Sequence, residues 1–166
     1  LARNEEMQRR LSTAFAERQV EKRYLAVVEG LPASTSGEID LPLGADWPRR
    51  PRQKVDRHAG KASLTRYRLL GHDPADNTSL LALWPETGRT HQLRVHLQAI
   101  GHPIVGDWLY GGAAMAAGRL LLHAEQLSFV HPANGRALRV CCPAPFAFAA
   151  LDRADDSPSS GYTASR

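Results

Sequence analysis

The chain has 166 residues, of which 43% are hydrophobic and 23% are charged, a composition that fits one globular domain and argues against extensive disorder. No apolar run approaches the length of a membrane span, and the amino-terminal LARNEEMQRR lacks the apolar core of a signal peptide, so we expect a cytoplasmic protein. The formal net charge is +4 and most basic residues are arginines, which favour contacts with phosphate and hint at a nucleic-acid partner.

The first predicted element is an amphipathic helix over residues 5–19. Its large apolar residues recur at four-residue spacing and should form a stripe that faces the core: Met7, Leu11 and Phe15. The β-prone segment Lys22–Gly30 follows and predicts a strand. Tyr24 lies near the start of this strand, on the face that it shares with Ala26 and Val28.

The rest of the chain predicts more strands than helices. Strands are expected over 62–70, 78–84, 120–130 and 136–142, and a second helix over 90–100 that ends at Gly101 and Pro103. The turns DPADN and HPANG join the strands into two hairpins. Residues 145–153 predict a short closing helix, and residues 154–166 a disordered tail. The pattern favours an α+β fold with a mainly antiparallel sheet, in one domain over residues 1–153.

A basic segment, DWPRRPRQKVDR, lies between the predicted strands over residues 22–30 and 62–70. Its cations are Arg49, Arg50, Arg52, Lys54 and Arg57. Two prolines argue against a helix, so we expect a loop. Such a loop fits the backbone of a nucleic acid, or it is an ordinary solvated surface loop, and composition does not separate the two.

The run Gly88–Gly111 is rich in hydrogen-bond donors. Arg89 stands between a glycine and the first turn of the second helix, where it could clamp a carboxylate or a phosphate, or form a structural salt bridge. Two alternatives are open for Arg94, which either reaches a phosphate or caps a surface carboxylate. His91 and Gln92 either orient Arg89 or bind a backbone, or they simply satisfy local hydrogen bonds.

Several kinds of chemistry lack their marks in this sequence. His91 and His96 are five residues apart, off a common helix face, and no cysteine or carboxylate completes a zinc set. No phosphate-loop GKS or GKT, dinucleotide glycine fingerprint or GxSxG elbow is present. Cys141 and Cys142 are adjacent, which suits neither a disulfide framework nor a metal site, and we expect them to be packing residues.

Three segments together resemble the RluA-type RNA pseudouridine synthases: KRYLAVVEG, GRTHQLRVHLQAIGHPIVGD and LLLHAEQLSFVHP. They occur in the family's order. A further segment, DLPLGADWPRRPRQKV, resembles the RluA subgroup, whose members modify large-subunit ribosomal RNA and transfer RNA. The resemblance covers roughly residues 1–146.

The resemblance implies a mainly antiparallel sheet with a central cleft, in which a uridine is flipped out of the RNA and isomerised from an N-glycoside to a C-glycoside. It implies no cofactor and no metal. Tyr24 corresponds to the tyrosine that stacks on the target base and helps to remove a proton from its carbon. Arg89 corresponds to the arginine that pairs with the catalytic aspartate. RNA contacts are expected from the basic segment and from His91 and Arg94.

The family's catalytic aspartate lies in an HRLD-type motif, and no such motif occurs in the 166 residues. Asp40, Asp107 and Asp152 all stand in other contexts. We therefore expect this chain to be a fragment or a truncated homologue that is inactive on its own. The alternative is a non-catalytic RNA-binding module that uses the same cleft.

Overall fold

A computed structural model describes residues 4–111, 118–146 and 148. In chain order its elements are helix α1 (Glu5–Ala16), strands β1 (Glu21–Glu29), β2 (Ser36–Asp40) and β3 (Leu43–Ala45), a 3-10 turn (Trp47–Arg49), strands β4 (Gln53–Val55), β5 (Leu64–Asp73) and β6 (Thr78–Pro85), helix α2 (Gln92–Ala99), and strands β7 (Leu122–Val130) and β8 (Ala137–Cys141). The predicted tail over 154–166 and most of the predicted closing helix over 145–153 lie outside the described residues.

Six strands form one sheet in the order β2-β5-β6-β1-β7-β8, and every pairing in it is antiparallel. The predicted α+β class with a mainly antiparallel sheet is confirmed. Strand β1 has a neighbour on each side, and its residues Leu25 to Val28 are all buried. Alternation along β1 divides the core as predicted, since Ala26 and Val28 pack in one cluster and Leu25 and Val27 in another.

Helix α2 packs against the sheet face that carries Ala26 and Val28, because Leu93 and Leu97 belong to the same apolar cluster. The helix begins at Gln92, two residues later than predicted, since His91 adopts a left-handed conformation with φ of 55°. Beyond its carboxyl end, Gly101 has φ of +85°, which side chains other than glycine rarely adopt, and this confirms the predicted stop.

A short hairpin that was not predicted from the sequence packs against α2. Strands β3 and β4 pair with each other in a separate two-stranded sheet, and their residues Leu43 and Val55 pack with Val95 and Tyr110. Strand β2, at the edge of the main sheet, was also missed. These three strands are only three to five residues long, and glycines and prolines lie in and between them. They are too short to show alternation, so the sequence predicted a loop here.

Two packing predictions were wrong. The apolar stripe of α1 does not face a core among the described residues: Met7 and Leu11 are half-buried and Phe15 is 48% exposed. Four-residue spacing indicates that a helix has an apolar face but not what covers it. Cys141 and Cys142 are both exposed, because β8 is the last strand of the described sheet and is exposed along its length.

Candidate active site and nucleic-acid interface

Tyr24 and Arg89 lie at the same end of the sheet. Tyr24 is the fourth residue of β1 and stands opposite Leu83 of β6. Because β1 and β6 are antiparallel, the start of β1 lies beside the end of β6, and Arg89 follows that end by four residues. Lys22 lies on the same face of β1 as Tyr24 and comes close to Gly88. Its Nζ would be 3.9 Å from a Cβ atom placed on that glycine.

A hollow of about 170 Å³ lies beside Tyr24. Its walls come from the start of β1, the bulged part of β7 and the end of β8: Lys22, Tyr24, Ala124, Gln126, Val140 and Cys142. The bulge falls where the register between β1 and β7 shifts, between Arg23 and Tyr24. Burial lowers the pKa of Lys22, although Glu86 nearby opposes that shift.

The main chain of Arg89 is fixed while its side chain is exposed. Its backbone N–H donates to Gln92 Oε1 at 3.0 Å, and its Nε has a long contact of 3.5 Å with the Ala62 carbonyl. Within residues 4–111, 118–146 and 148, no carboxylate oxygen forms an ion pair with its guanidinium. An exposed guanidinium on an ordered backbone can bind an anion bidentately with little reorganisation.

Gln92 is the residue that orders this turn. It is 4% exposed, and its amide uses all four hydrogen-bonding positions. Its oxygen accepts from the Thr87 hydroxyl at 2.7 Å and from the Arg89 N–H, while its nitrogen donates to the Leu64 carbonyl at 2.9 Å and the Thr65 hydroxyl at 3.0 Å. Both expectations for Gln92 therefore hold, since it satisfies local groups and also positions the main chain of Arg89.

His96 continues this buried network toward the hairpin. Its Nε2 donates to the Leu41 carbonyl at 3.0 Å, because a carbonyl can only accept, and its Nδ1 then accepts from the Thr65 hydroxyl at 2.9 Å. Burial lowers the pKa of His96, and this neutral tautomer is the form that the network requires.

His91 connects α2 to the basic segment through one hydroxyl group. Tyr110 Oη accepts from the backbone N–H of Gln53 at 2.7 Å and lies 2.8 Å from His91 Nδ1, to which it can donate. Desolvation and, secondarily, the nearby Arg94 lower the pKa of His91. The imidazole therefore serves as an internal acceptor, and any contact of its ring with RNA stays a prediction.

Arg94 is engaged with Asp107. Its Nε and one terminal nitrogen donate to the two carboxylate oxygens at 2.8 and 2.7 Å, and the side chain of Asp107 has no exposed surface. The backbone N–H groups of Leu109 and Tyr110 donate to the same carboxylate. Burial opposes ionisation of Asp107, but Arg94 and these N–H groups outweigh it and lower its pKa. Arg94 thus pairs with a buried carboxylate, whereas the sequence led us to expect a surface one, and a contact of Arg94 with RNA stays a prediction.

The basic segment surrounds the 3-10 turn and β4, and its five cations lie in different surroundings. Arg49 pairs with the buried Asp46 at 2.8 Å, and Lys54 lies 3.7 Å from Asp56. Arg50 and Arg52 form cation–π contacts with Trp47 and Tyr110, with guanidinium carbons 3.8 and 5.4 Å from the ring centroids. Arg57 is exposed. The segment therefore presents several of its cations to solvent.

The buried partners of this region were not predicted from the sequence. Thr65 and Thr87 were not singled out, Asp107 was considered only as a catalytic aspartate, and Tyr110 was not linked to the basic segment. The sequence signal for these partners was weak, because it consisted only of small polar residues at strand ends and an aspartate after Gly106. The structure requires glycine at position 106, since φ there is +77° and a Cβ would collide with the carbonyl oxygen of Arg119.

The described part of the chain offers neither a metal-binding cluster nor a membrane-spanning helix. No cluster of three or more histidine, cysteine or acidic side chains there is arranged to hold a metal ion. None of the helices seen there has the length and apolar character needed to span a membrane.

Comparisons with known proteins agree with this architecture. Residues 1–99 match the family model for RNA pseudouridylate synthase. The chain is 48% identical over 141 residues to the dual-specificity RNA pseudouridine synthase RluA of Escherichia coli strain K12, an alignment that covers 84% of this chain and 64% of that protein. Identity to the RluA of Yersinia pestis is 46% over 141 residues, covering 84% of this chain and 68% of the relative.

Two solved structures have the same fold. Human RNA pseudouridylate synthase domain containing 1 superposes with a TM-score of 0.75 at 35% identity, over 88% of this chain and 63% of that one. Human RNA pseudouridylate synthase domain containing 4 gives a TM-score of 0.67 at 26% identity, over 86% of this chain and 64% of the other. The chain thus spans a little under two thirds of the length of several proteins that it matches. Its match to the family model and its identity to these relatives show that the chain belongs to the RNA pseudouridylate synthase family.

Proposed function

We propose that this chain contributes Tyr24 and Arg89 to a site that isomerises uridine to pseudouridine in structured RNA. The observation that carries the proposal is that Tyr24 and Arg89 lie at the same end of the sheet, with a hollow beside Tyr24. Family membership supplies the reaction class. The substrate is ribosomal RNA, transfer RNA or both, which agrees with a cytoplasmic location.

In this proposal the Tyr24 ring stacks on a flipped uracil and its hydroxyl assists proton removal from the base carbon. Arg89 pairs with a catalytic aspartate and keeps that carboxylate ionised. Two observations support this role: the Arg89 guanidinium is exposed, and its main chain is held by Gln92. The guanidinium can therefore bind a carboxylate while the main chain of Arg89 stays in place.

The RNA backbone meets the basic segment, where Arg50, Arg52 and Arg57 contribute most directly and Arg49 and Lys54 do so beside their carboxylate neighbours. Arg94 contributes through its ion pair with Asp107, because that pair already occupies its guanidinium. His91 contributes through the position of Tyr110.

The 166 residues contain no aspartate in the family's HRLD context, so we propose that this chain alone binds RNA without turning it over. The test is tritium release from RNA labelled at uridine C5. We expect no release from the chain alone, together with salt-dependent binding of an RNA stem-loop. Turnover by the chain alone would refute the predicted inactivity, and binding insensitive to salt would refute the role of the basic segment.

The roles of the two site residues can be tested in a chimera that joins an HRLD-bearing segment of a family member to this chain. Tyr24→Phe should retain RNA binding but slow isomerisation, because it keeps the ring and loses the hydroxyl, whereas Tyr24→Ala should impair both. Arg89→Ala should lower turnover far more than it lowers RNA affinity. If Arg89→Ala isomerised uridine at the parental rate, Arg89 would not be a catalytic residue.

The second candidate is a non-catalytic RNA-binding module. It is favoured by the basic segment, whose cations are displayed whether or not an aspartate reaches Arg89. RNA binding by the chimera with no tritium release, despite correct folding, would favour this candidate over the enzyme.

A further inference from the structure

The basic segment carries an exposed tryptophan. Trp47 opens the 3-10 turn between β3 and β4 and is 67% exposed. A large apolar side chain at such exposure contributes little burial to the fold. The guanidinium carbon of Arg50 lies 3.8 Å from the indole centroid, well within the range of a cation–π contact. This indole is therefore presented to solvent with an arginine on one of its faces.

The turn that carries Trp47 is held at both ends. The backbone N–H of Asp46 donates to the Arg52 carbonyl at 3.0 Å, and that of Arg49 donates to the Asp46 carbonyl at 2.9 Å. The Arg49 guanidinium pairs with the Asp46 carboxylate, and the N–H of Gln53 is bound by Tyr110. A ligand of Trp47 would thus meet an ordered loop, which lowers the entropic cost of binding.

The charges around the indole favour an anionic ligand that also has a flat face. Arg50, Arg52 and Arg57 lie within ten residues of Trp47, and Arg52 forms a cation–π contact with a second aromatic ring, that of Tyr110. A guanidinium carries five N–H donors, so one that contacts a ring can still bind phosphate oxygens. Aromatic rings interleaved with cations are the usual composition of sites for unpaired nucleotides.

We propose that Trp47 is a stacking platform for an unpaired base of the bound RNA, and that Arg50 binds a phosphate next to that base. This inference rests on the proposed function to the extent that RNA is the ligand. It adds a recognition site for a second nucleotide, separate from the one that holds the flipped uridine. Unpaired bases can splay out to meet such a platform, whereas bases inside a helix cannot.

The test is binding of a fluorescein-labelled RNA stem-loop with an unpaired uridine loop, measured by anisotropy over a range of salt concentrations. Trp47→Leu should weaken binding about tenfold, since stacking of one base contributes on that order. The slope of affinity against salt should not change, because no charge is removed. Trp47→Phe should restore most of the affinity. Trp108→Leu is the matched control, because Trp108 is 73% exposed and lies outside the basic segment.

The same variants can be measured on a stem-loop whose loop nucleotides are abasic. If Trp47 stacks on a base, the difference between the chain and Trp47→Leu should disappear on this RNA. A difference that persists would overturn the platform, since the effect would then come from loop structure. Equal affinity of the chain and Trp47→Leu for the intact stem-loop would also overturn it while leaving RNA binding in place. Failure of the unsubstituted chain to bind any RNA would instead refute the proposed function.

Discussion

The Gly88–Tyr110 region and the basic segment at 46–57 are both rich in polar and basic side chains, but they use them in opposite ways. In the first region, Gln92, His96 and Asp107 face inward, and their polar atoms bind one another or the backbone. In the second, Trp47, Arg50 and Arg57 face solvent. Burial therefore decides whether a polar group stabilises the fold or remains available to a ligand, and residue type alone does not reveal which.

The largest expected effect is at Asp107. Asp107→Ala leaves Arg94, whose side chain is 15% exposed, without its counter-charge and removes the acceptor of two N–H groups. Breaking a buried pair from one side costs about 3–5 kcal/mol, which urea unfolding would show. The matched control is Glu6→Ala, which removes an exposed i,i+4 pair with Arg10 and should cost less than about 1 kcal/mol. Equal losses in the two variants would contradict the contrast between buried and exposed charges.

A smaller loss is expected at Gln92. Gln92→Leu keeps a similar volume but leaves the Arg89 N–H without its acceptor and removes one of the two donors to the Leu64 carbonyl, at a cost of about 1–3 kcal/mol. Gln98→Leu is the control, because Gln98 is exposed on the same helix. The free energy of unfolding should fall in the first variant and stay within about 0.5 kcal/mol in the second. A neutral Gln92→Leu would show that the network does not stabilise the turn.

The pH dependence of stability should expose the same buried network. His96 and His91 have folded-state pKa values below 6.5, so the unfolded chain binds protons first as the pH falls. Stability linked to these residues should be fully present above about pH 6.5 and lost progressively below it. The slope of unfolding free energy between pH 7.5 and about 5.5 should be shallower in His96→Asn and shallower still when His91→Asn is added. An unchanged slope in both variants would contradict the assignment.

The smallest effect on stability is expected at Arg57, in the outward-facing region. Arg57→Ala should change the free energy of unfolding by no more than about 0.5 kcal/mol, because the side chain is exposed. In RNA binding the same variant should reduce the slope of log affinity against log salt by about one. A large loss of stability with no change in that slope would place Arg57 with the inward-facing residues instead.

Long periodic segments were predicted well from the sequence. The alternation along β1 gave both faces of that strand, and Gly101 marked the end of α2, because these signals are local and are set by backbone geometry. The short strands of the β3–β4 hairpin and the exposure of Phe15 were not predicted, since both depend on what lies across from a segment in space.

The candidate site, too, could be predicted only in part from the sequence. The family motifs single out Tyr24 and Arg89 as expected site residues, and the structure adds the hydrogen bond that orders the turn at Arg89. Gln92, Thr65 and His96 are up to 31 residues apart and come together only when α2 docks on β5, so no spacing rule could link them. For Arg94, the residues allowed two roles, and the partner that separates them, Asp107, lies in the loop beyond the helix.

The bond between Gln53 and Tyr110 has a consequence for engineering. It ties the basic segment to a residue 57 positions further along the chain, beyond α2 in sequence, so the segment is not an independent module. Residues 46–57 transplanted alone to another scaffold would lose the partner of the Gln53 N–H and the ring that Arg52 contacts. A graft that exchanges specificity within this family would have to carry Tyr110 along with the segment, and with Tyr110 the carboxylate of Asp107 that binds its backbone.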